Sequence, residues 1–475
     1  MLPTHQKFNV FPRVIEVGKP TEIFLVPEAR TFLFPEDEPY TVMVSGVNGD
    51  ESWYHEPSVW DRFDLVAKGG VLRFTYTFPR EEEYQIRIYR GTELEKDNKL
   101  VDLAVYALES DLYALTPLRG DLHTHSYRSD GESDPAELLG YYREMGYDFQ
   151  ALTDHNRYYP TAEVEKVYEG VKLGICPIKG EEVHTPTSTI HIVHVGGKES
   201  VAEIYCKDTP RYEQELETYR ARVPEEIPEN QRERYAQALW STDRIHAAGG
   251  IAIFAHPYWR PGSNHCYNVC DELTQKLLTS GMFDVFELVG GMRVYGINRA
   301  VALWQELCAK GHQINVVGSS DVHTLAGKDF PYHFTVCFAR ENSTEAILDA
   351  IRNGLSVATE MSGVEHDREF RAYGSFRLVS YAQFLFRNYF SELQRICQGE
   401  GVAMRQYAMG YTPASTIEAQ VEQTERFKAR FFGRALPVLP DEEMLALEDK
   451  WREIHVNGPT SKGSLALQEK ITRQI

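Results

Sequence analysis

The sequence contains no uninterrupted apolar run of the length, about 18 residues, that a membrane-spanning helix needs. Its first residues lack the basic and then apolar pattern of a secretory signal. The seven cysteines are odd in number and scattered along the chain, which does not indicate a disulfide framework. These absences predict a cytoplasmic protein with reduced thiols and no membrane partner.

The sequence also lacks an excess of positive charge. The formal net charge is -20 at pH 7, because 50 Lys and Arg stand against 70 Asp and Glu. Nucleic-acid backbones and anionic membranes are bound mainly through Lys and Arg, so neither is expected as a partner. A small anionic substrate would need local cations, which bound metal ions can supply. The oligomeric state is left open.

The first part of the chain, residues 1–115, alternates apolar and polar side chains. This pattern is clearest at 71–76 and 84–89, and turn-rich stretches separate such runs. Period-two alternation is typical of half-buried antiparallel strands, so we expect a β-sandwich domain here. It contains no cluster of catalytic residue types.

In residues 116–362 strands and helices alternate, which predicts a parallel sheet with crossover helices and a barrel-like α/β domain. A polar stretch at about 200–241 indicates a solvated helical insertion. Apolar residues at helical spacing predict a mainly helical C-terminal extension over 363–475. The predicted barrel strands cover 119–123, 149–153, 175–183, 190–195, 250–255, 283–288 and 313–318, and the helices include 135–145 and 298–309.

Side chains that can bind metal ions stand at or just past the C-terminal ends of these predicted strands. In barrels of alternating strands and helices, side chains from different strands converge at that rim. The residues in question are Asp121, His123, His125, Asp154, His155, Glu182, His191 or His194, His256, Asp321 and His323.

The spacing of His123 and His125 places both imidazoles on one face of an extended segment, where they can hold one ion. Asp321 and His323 repeat this spacing. Mixed imidazole and carboxylate ligands suit zinc, manganese or iron, whereas calcium prefers oxygen ligands. A single histidine is more often an ordinary polar residue than a ligand. Six strand ends that carry such residues together favour a metal centre.

The ordered motifs resemble those of the polymerase and histidinol phosphatase (PHP) superfamily of metal-dependent phosphoesterases. They are Gly-Asp-Leu-His-Thr-His-Ser at 120–126, Ser-Asp-Gly at 129–131, Leu-Thr-Asp-His-Asn at 152–156, Gly-Glu-Glu-Val at 180–183, Phe-Ala-His-Pro at 254–257 and Gly-Ser-Ser-Asp-Val-His at 318–323. The resemblance does not cover either terminal region. It implies a distorted (β/α)7 PHP barrel between an N-terminal β-sandwich and the C-terminal helices.

The resemblance also implies two or three divalent metal ions, with Glu182 bridging the first and the second. His194 is the alternative to His191, because residues three apart face opposite sides of a regular strand. The implied ligands are His123, His125, Glu182 and Asp321 for the first ion, His191 and His256 for the second, and Asp130, His155 and His323 for the third.

From this centre we expect a metal-dependent hydrolase, a phosphoesterase in which a hydroxide that bridges two metals attacks a small phosphate ester. Asp121 and Asp154 are expected to support the ligands. Arg157 is a candidate contact for the substrate phosphate, as are Arg128, Arg260 and Arg293. Two alternatives stay open. The same centre could hydrolyse a carboxylic or carbamate ester, or the barrel could be a catalytically silent binding or scaffold domain.

Overall fold

The computed structural model describes residues 7–29, 32–36, 38–48, 60–260, 265–326, 330–362 and 369–457. The chain divides into two compact units, Met1–Tyr113 with Arg426–Ile475, and Ala114–Glu425. The helical region predicted at 363–475 is therefore shared between both units, and the predicted domain boundaries stay predictions. Among the described residues, every helix is too short or too polar to cross a membrane.

The first unit contains two β-sheets, one of three strands in the order β1-β3-β6 and one of five in the order β2-β8-β7-β4-β5. Its N-terminal elements are β1 (Phe8–Phe11), β2 (Val14–Glu16), β3 (Pro20–Pro27), β4 (Pro39–Gly46), β5 (Asp61–Val66), β6 (Leu72–Thr77), β7 (Glu82–Arg90), β8 (Lys99–Leu108) and α1 (Ser110–Tyr113). Ile23 of the first sheet and Val42 and Ile86 of the second are fully buried in one shared core. The two sheets thus pack face to face, as the alternating pattern predicted.

The second unit alternates strands and helices before it ends in helices. Its elements are β9 (Thr116–Asp121), α2 (Pro135–Glu144), β10 (Phe149–Leu152), α3 (Pro160–Val167), β11 (Cys176–Val183), β12 (His191–Gly196), α4 (Ala202–Lys207), α5 (Thr209–Arg220), α6 (Glu229–Ala248), β13 (Gly250–Ala255), α7 (Asp271–Thr279), β14 (Val285–Val289), α8 (Val294–Ala309), β15 (Val316–Gly318), β16 (His333–Ala339), α9 (Thr344–Arg352), β17 (Ser356–Ser362), β18 (Glu369–Tyr373), α10 (Phe376–Leu385) and α11 (Ser391–Ala408). Two further helices, α12 (Ala414–Phe431) and α13 (Glu442–Asn457), complete the described chain.

A single sheet of ten strands organises this unit, in the order β15-β14-β13-β12-β11-β10-β9-β16-β17-β18. The sheet curves until its first strand, β15, lies against β16 and β17. The Ser356 hydroxyl of β17 donates to the Val316 carbonyl of β15 at 2.9 Å, and the Gly318 N–H donates to Thr335 Oγ1 of β16 at 3.1 Å. The result is a mixed α/β, nearly closed, barrel-like sheet.

The exact (β/α)7 arrangement is not confirmed, although all seven predicted barrel strands are present. The strand β12 runs antiparallel to both β11 and β13, and β16 runs antiparallel to β9. The connection between β11 and β12 spans only residues 184–190, which is too short for the crossover that a parallel neighbour requires. The length of this connection, which the apolar pattern does not encode, therefore set the direction of β12.

The insertion predicted at about 200–241 is helical and consists of α4, α5 and most of α6. It is less solvated than its composition indicates, because it contains buried aromatic residues. The rings of Tyr212 and Trp240 lie 4.8 Å apart in an edge-to-face contact, and both side chains are fully buried. Its charged residues cover the outer faces of the helices, whereas these rings attach it to the barrel core.

Candidate metal centre

Glu182, near the end of β11, lies at the middle of a group of histidines. Its Oε2 atom lies 3.3 Å from His123 Nε2, 3.4 Å from His125 Nε2 and 2.9 Å from His155 Nδ1. These three histidines come from the segments that follow β9 and β10. The structure therefore brings together residues that the sequence separates by more than one strand and helix.

The other oxygen of the same carboxylate faces a second set of imidazoles. Glu182 Oε1 lies 2.8 Å from His191 Nδ1, 3.3 Å from His256 Nε2 and 3.2 Å from His184 Nε2. The Glu182 side chain is only 1% exposed. One buried carboxylate thus lies between two groups of ligand-type side chains, as expected for a bridging ligand.

Asp321 completes the first predicted group. Its Oδ1 lies 3.2 Å from His123 Nε2 and 3.0 Å from His125 Nε2. One ligand atom from each of His123, His125, Glu182 and Asp321 falls within 4.8 Å of all the others. This is the set that the resemblance implies for the first ion.

A third group opens towards solvent. Asp130 Oδ2 lies 3.3 Å from His155 Nε2 and 3.4 Å from His323 Nε2, and His125 joins the same group. The side chains of Asp130 and His323 are 53% and 37% exposed. The centre is therefore buried around Glu182 and accessible around Asp130.

The strand β12 settles which of its two histidines faces the centre. His191 points towards Glu182, whereas the His194 ring lies on the opposite face, with Nδ1 at 3.2 Å from Glu181 Oε1. Glu181 also accepts a hydrogen bond from the Val201 N–H at 2.6 Å, at the start of α4. The geometry favours His191 as the ligand, whereas His194 contacts Glu181 on the face of β12 that points away from the centre.

Two residues that the sequence analysis did not single out contact the centre. Glu287 of β14 places Oε2 at 2.9 Å from His123 Nδ1, and both side chains are fully buried. Its signal was a single carboxylate within the otherwise apolar strand Val-Phe-Glu-Leu-Val. His184 follows Glu182 by two residues, a spacing that places both on one face of an extended segment.

Asp121 supports the centre from behind and does not reach towards solvent. Its Oδ1 accepts hydrogen bonds from the backbone N–H groups of His123 and Ser320, both at 3.1 Å, and its Oδ2 accepts one from the Tyr142 hydroxyl at 2.7 Å. Burial raises the pKa of Asp121 to about 6, although these hydrogen bonds act in the opposite direction. Asp121 thus joins the segments that carry His123 and Asp321.

Asp154 performs a similar task for the segment that carries Asp130. It accepts hydrogen bonds from the Ser126 N–H at 2.9 Å and from the Ser129 hydroxyl at 2.6 Å. Both carboxylates therefore hold the loops that bear ligands. The third tentative residue, Arg157, has an exposed side chain next to this region. Its predicted contact with a substrate phosphate stays a prediction.

The charges of the centre compensate one another. Burial opposes the charged form of Glu182, but the imidazoles of His123 and His191 outweigh burial and hold the pKa of this carboxyl well below its usual range. Burial also favours a neutral His123, yet the carboxylates of Asp321 and Glu182 raise the pKa of this ring well above its ordinary value. Burial lowers the pKa of His191 to about 4, so this imidazole is neutral at pH 7 and able to bind a cation.

The donor set fits divalent metal ions. Several nitrogen and oxygen atoms of the centre are buried and make no hydrogen bond within the described residues: both Glu182 oxygens, His123 Nε2, His125 Nδ1, His155 Nδ1, His184 Nε2, His191 Nδ1 and His256 Nδ1. A buried polar atom without a partner costs about 1–3 kcal/mol, so such a concentration needs a further partner. Metal ions that prefer imidazole and carboxylate ligands would provide it.

Backbone strain is also concentrated here. His256 and Asp321 adopt φ values of +23° and +53°, in the left-handed region that residues with side chains rarely occupy. Asn156, next to His155, has a φ of +55°. Strain of this kind costs about 1–3 kcal/mol per residue and is typical of functional sites, where the surrounding structure imposes it.

Comparisons with known proteins give partial matches. No family model matches the chain. The chain is 32% identical over 89 residues to the DNA polymerase/3'-5' exonuclease PolX of Bacillus subtilis, and this match covers 18% of the chain and 15% of PolX. Most of the length of that relative is thus outside the match.

Two solved structures are similar to the chain. A two-domain protein from Bacteroides vulgatus that contains a predicted PHP-like metal-dependent phosphoesterase has a TM-score of 0.36 at 21% identity, and the match covers 52% of this chain and 65% of that protein. An amidohydrolase from Chromobacterium violaceum has a TM-score of 0.30 at 18% identity, with 44% and 88% covered. Because these TM-scores are low, the two matches carry no argument about family or function. The ordered motifs resemble those of the PHP superfamily, and the structure brings the residues of these motifs together around Glu182.

Proposed function

We propose that the chain is a metal-dependent hydrolase and that its substrate is a small phosphate ester. The observation that carries the proposal is the position of Glu182, whose two oxygens each face a separate group of imidazoles. Sites that hold adjacent metal ions use such a shared carboxylate, and many of them hydrolyse phosphate esters.

Three groups of side chains would hold the ions. The first group is His123, His125, Glu182 and Asp321, the second is Glu182, His191 and His256, and the third is His125, Asp130, His155 and His323. When bound, divalent ions act as Lewis acids on an ester and make a water molecule more acidic. Zinc, manganese and iron suit these ligands.

The chain itself would position the substrate and retain the ligands. The exposed guanidinium of Arg157 follows His155 by two residues, and its forked donors suit a phosphate oxygen. Two other arginines have partners already: Arg128 pairs with Glu163 at 2.8 Å, and Arg260 lies over the Tyr295 ring at 5.2 Å. Arg157 and the likewise exposed Arg293 are therefore the preferred contacts for the anionic part of the ester.

Because the whole chain is negatively charged, the attraction for an anionic substrate would come from positive charge at the site itself. A net charge of -20 repels phosphate at long range. Ions held by the three groups would reverse the sign of the potential at the site alone. This arrangement favours a small ester that enters the centre over a polyanion that would lie along the surface.

The test combines metal analysis with a panel of esters. We expect purified protein to carry two or three divalent ions per chain and to hydrolyse phosphate monoesters or diesters, and we expect His123→Ala to lose both properties. A preference of more than about tenfold for carboxylic or carbamate esters, a difference of about 1.4 kcal/mol in the barrier, would overturn the phosphate assignment. Metal-loaded protein that hydrolyses none of these esters would instead indicate a silent binding barrel.

A further inference from the structure

Trp259 borders the half of the centre formed by His191 and His256. Its ring centroid lies 6.0 Å from that of His191 and 6.3 Å from that of His256. The backbone N–H of Trp259 donates to the His256 carbonyl at 3.0 Å, and the backbone N–H of Asn268 donates to the Trp259 carbonyl at 2.9 Å. These bonds fix the main chain of Trp259, and its ring lies beside two candidate ligands.

The indole is also accessible. Trp259 is 37% exposed, whereas Trp240 of the same unit is fully buried. Exposed single aromatic residues are common on protein surfaces, and exposure alone does not indicate a site. The difference here is the position, because the exposed ring adjoins imidazoles that are themselves nearly buried.

Two other exposed aromatic rings that follow strand ends are covered by cations. Arg128 lies over the Tyr127 ring at 4.5 Å, and Arg260 lies over the Tyr295 ring at 5.2 Å. In the part of the chain that the structure describes, the ring contacts of Trp259 are those with His191 and His256, and no arginine or lysine covers it. Among the described residues, no cation therefore competes with a planar partner for this partly exposed ring.

We propose that Trp259 is a specificity-determining residue that stacks on an aromatic ring of the substrate. The inference rests on the proposed function and refines it: the favoured phosphate ester would carry a planar aromatic group close to phosphorus. Stacked rings have centroids about 4.5–7 Å apart, so a ring one or two bonds from a phosphoryl group at this centre could reach the indole.

The experiment compares two ligands that differ in the planarity of one ring. Benzylphosphonate and cyclohexylmethylphosphonate share an anionic group and are not hydrolysed, and the saturated ring is the more hydrophobic of the two. We expect the metal-loaded full chain to bind benzylphosphonate about three to ten times more tightly in calorimetric titrations, the range that aromatic stacking supplies.

Variants assign the preference to one residue. In Trp259→Leu the ratio of the two affinities should fall to about one, because leucine retains apolar contact but has no π-face. Trp259→Phe should keep part of the preference and provides a second variant if Trp259→Leu folds poorly. The control is Phe376→Leu, since Phe376 is 89% exposed at the first position of α10 and should leave the ratio unchanged. Metal content is measured for every variant.

The outcomes separate this inference from the proposed function. Equal affinities in the unsubstituted protein, or a preference that persists in Trp259→Leu, would overturn the stacking role, while metal-dependent binding of both phosphonates would leave the phosphoesterase proposal intact. Metal-loaded protein that binds neither phosphonate would overturn the stacking role, and the phosphoesterase proposal would fall with it if the whole panel of phosphate esters were also left unhydrolysed.

Discussion

Among single residues, Glu287 has the least expected position. It lies in β14, surrounded by apolar residues, and reaches His123 Nδ1 at 2.9 Å. A histidine that binds a metal through one nitrogen commonly donates its other N–H to a carboxylate, which fixes the ring and increases its basicity. Glu287 is therefore a positioning residue for His123.

Substitution of Glu287 tests this role. We expect Glu287→Gln to lower the affinity for zinc or manganese about 10–100-fold, because loss of the carboxylate weakens the ligand that it orients. Competition with a chelator measures the affinity, and circular dichroism checks the fold. Glu306→Gln, on the exposed face of α8, is the matched control. An unchanged affinity in Glu287→Gln would contradict the role.

The two histidines of β12 provide a second prediction for single residues. We expect His191→Ala to reduce the number of bound ions per chain, because His191 faces Glu182. His194→Ala should retain the ions and lower stability instead, since it removes a fully buried ring and its contact with Glu181. Elemental analysis of the folded fraction measures the ions, and denaturation measures stability. The reverse pattern would assign the ligand to His194.

Among the secondary-structure elements, the contact between α2 and α11 contains a buried ion pair. Arg143 Nε donates to Glu400 Oε2 at 2.7 Å, and neither side chain is exposed. Glu400 Oε1 also accepts the Gly174 N–H at 2.7 Å, so one carboxylate joins two helices and the segment before β11. Gly401 permits the close approach, because a Cβ there would lie 2.2 Å from the Glu144 nitrogen.

Removal of one member of this pair should be costly. We expect Glu400→Ala to lower the free energy of unfolding by about 3 kcal/mol, because it leaves the buried Arg143 guanidinium with only the more distant carboxylate of Asp148, 3.5 Å from Nη1. Urea denaturation measures the loss. Glu418→Ala, at an exposed position of α12, should change the free energy by less than about 0.5 kcal/mol. Similar values for both variants would show that the pair contributes little.

The ion pair between His246 of α6 and Asp284, which precedes β14, predicts that stability depends on pH. His246 lies in the last turn of α6, and its Nε2 atom is 2.8 Å from Asp284 Oδ2. The hydrogen bond with Asp284 raises the pKa of His246 above 6.5, although partial burial opposes the shift. The protonated ring therefore stabilises the fold fully below pH 6.5, and this stabilisation is lost as the pH rises through the pKa of the folded state.

The variant His246→Gln checks the sign of this dependence. The loss of stability relative to the unsubstituted protein should be larger at about pH 5 than at about pH 9, because the charged ring exists only at the lower pH. Since the His246 side chain is 39% exposed, solvent screens the pair and the difference should be small. Denaturant titrations at both pH values measure it. A larger loss at high pH would contradict the assignment.

For the whole molecule, stability should depend on the metal ions. The second unit buries several carboxylates and imidazoles whose atoms have no hydrogen-bond partner among the described residues. Ions that bind only the folded state stabilise it by about 2.7 kcal/mol at a free concentration 100 times the Kd. We therefore expect treatment with a chelator to lower the unfolding temperature and added zinc or manganese to restore it.

Glu182→Gln separates this effect from a general action of salt. Because Glu182 contacts both groups of imidazoles, the variant should lose most of the metal-dependent shift in unfolding temperature. Differential scanning calorimetry with and without the ion measures the shift. A full shift in Glu182→Gln would show that the stabilising ions bind elsewhere.

The sequence by itself determined much of the architecture and most of the candidate ligands. Period-two alternation and the change to strand–helix alternation are local properties, and they predicted the N-terminal sheets and all seven barrel strands. The histidines and carboxylates at strand ends were also visible locally, because the spacing of His123 and His125 or of Asp321 and His323 encodes which side chains share a face.

Only the tertiary structure decided the features that depend on distant partners. Glu287 is 164 residues from His123, and Glu400 is 257 residues from Arg143, so the sequence around each residue does not reveal its partner. The choice of His191 over His194 follows from which face of β12 meets Glu182. An apolar strand has similar side chains on both faces, and the packing of its neighbours determines which face meets the centre.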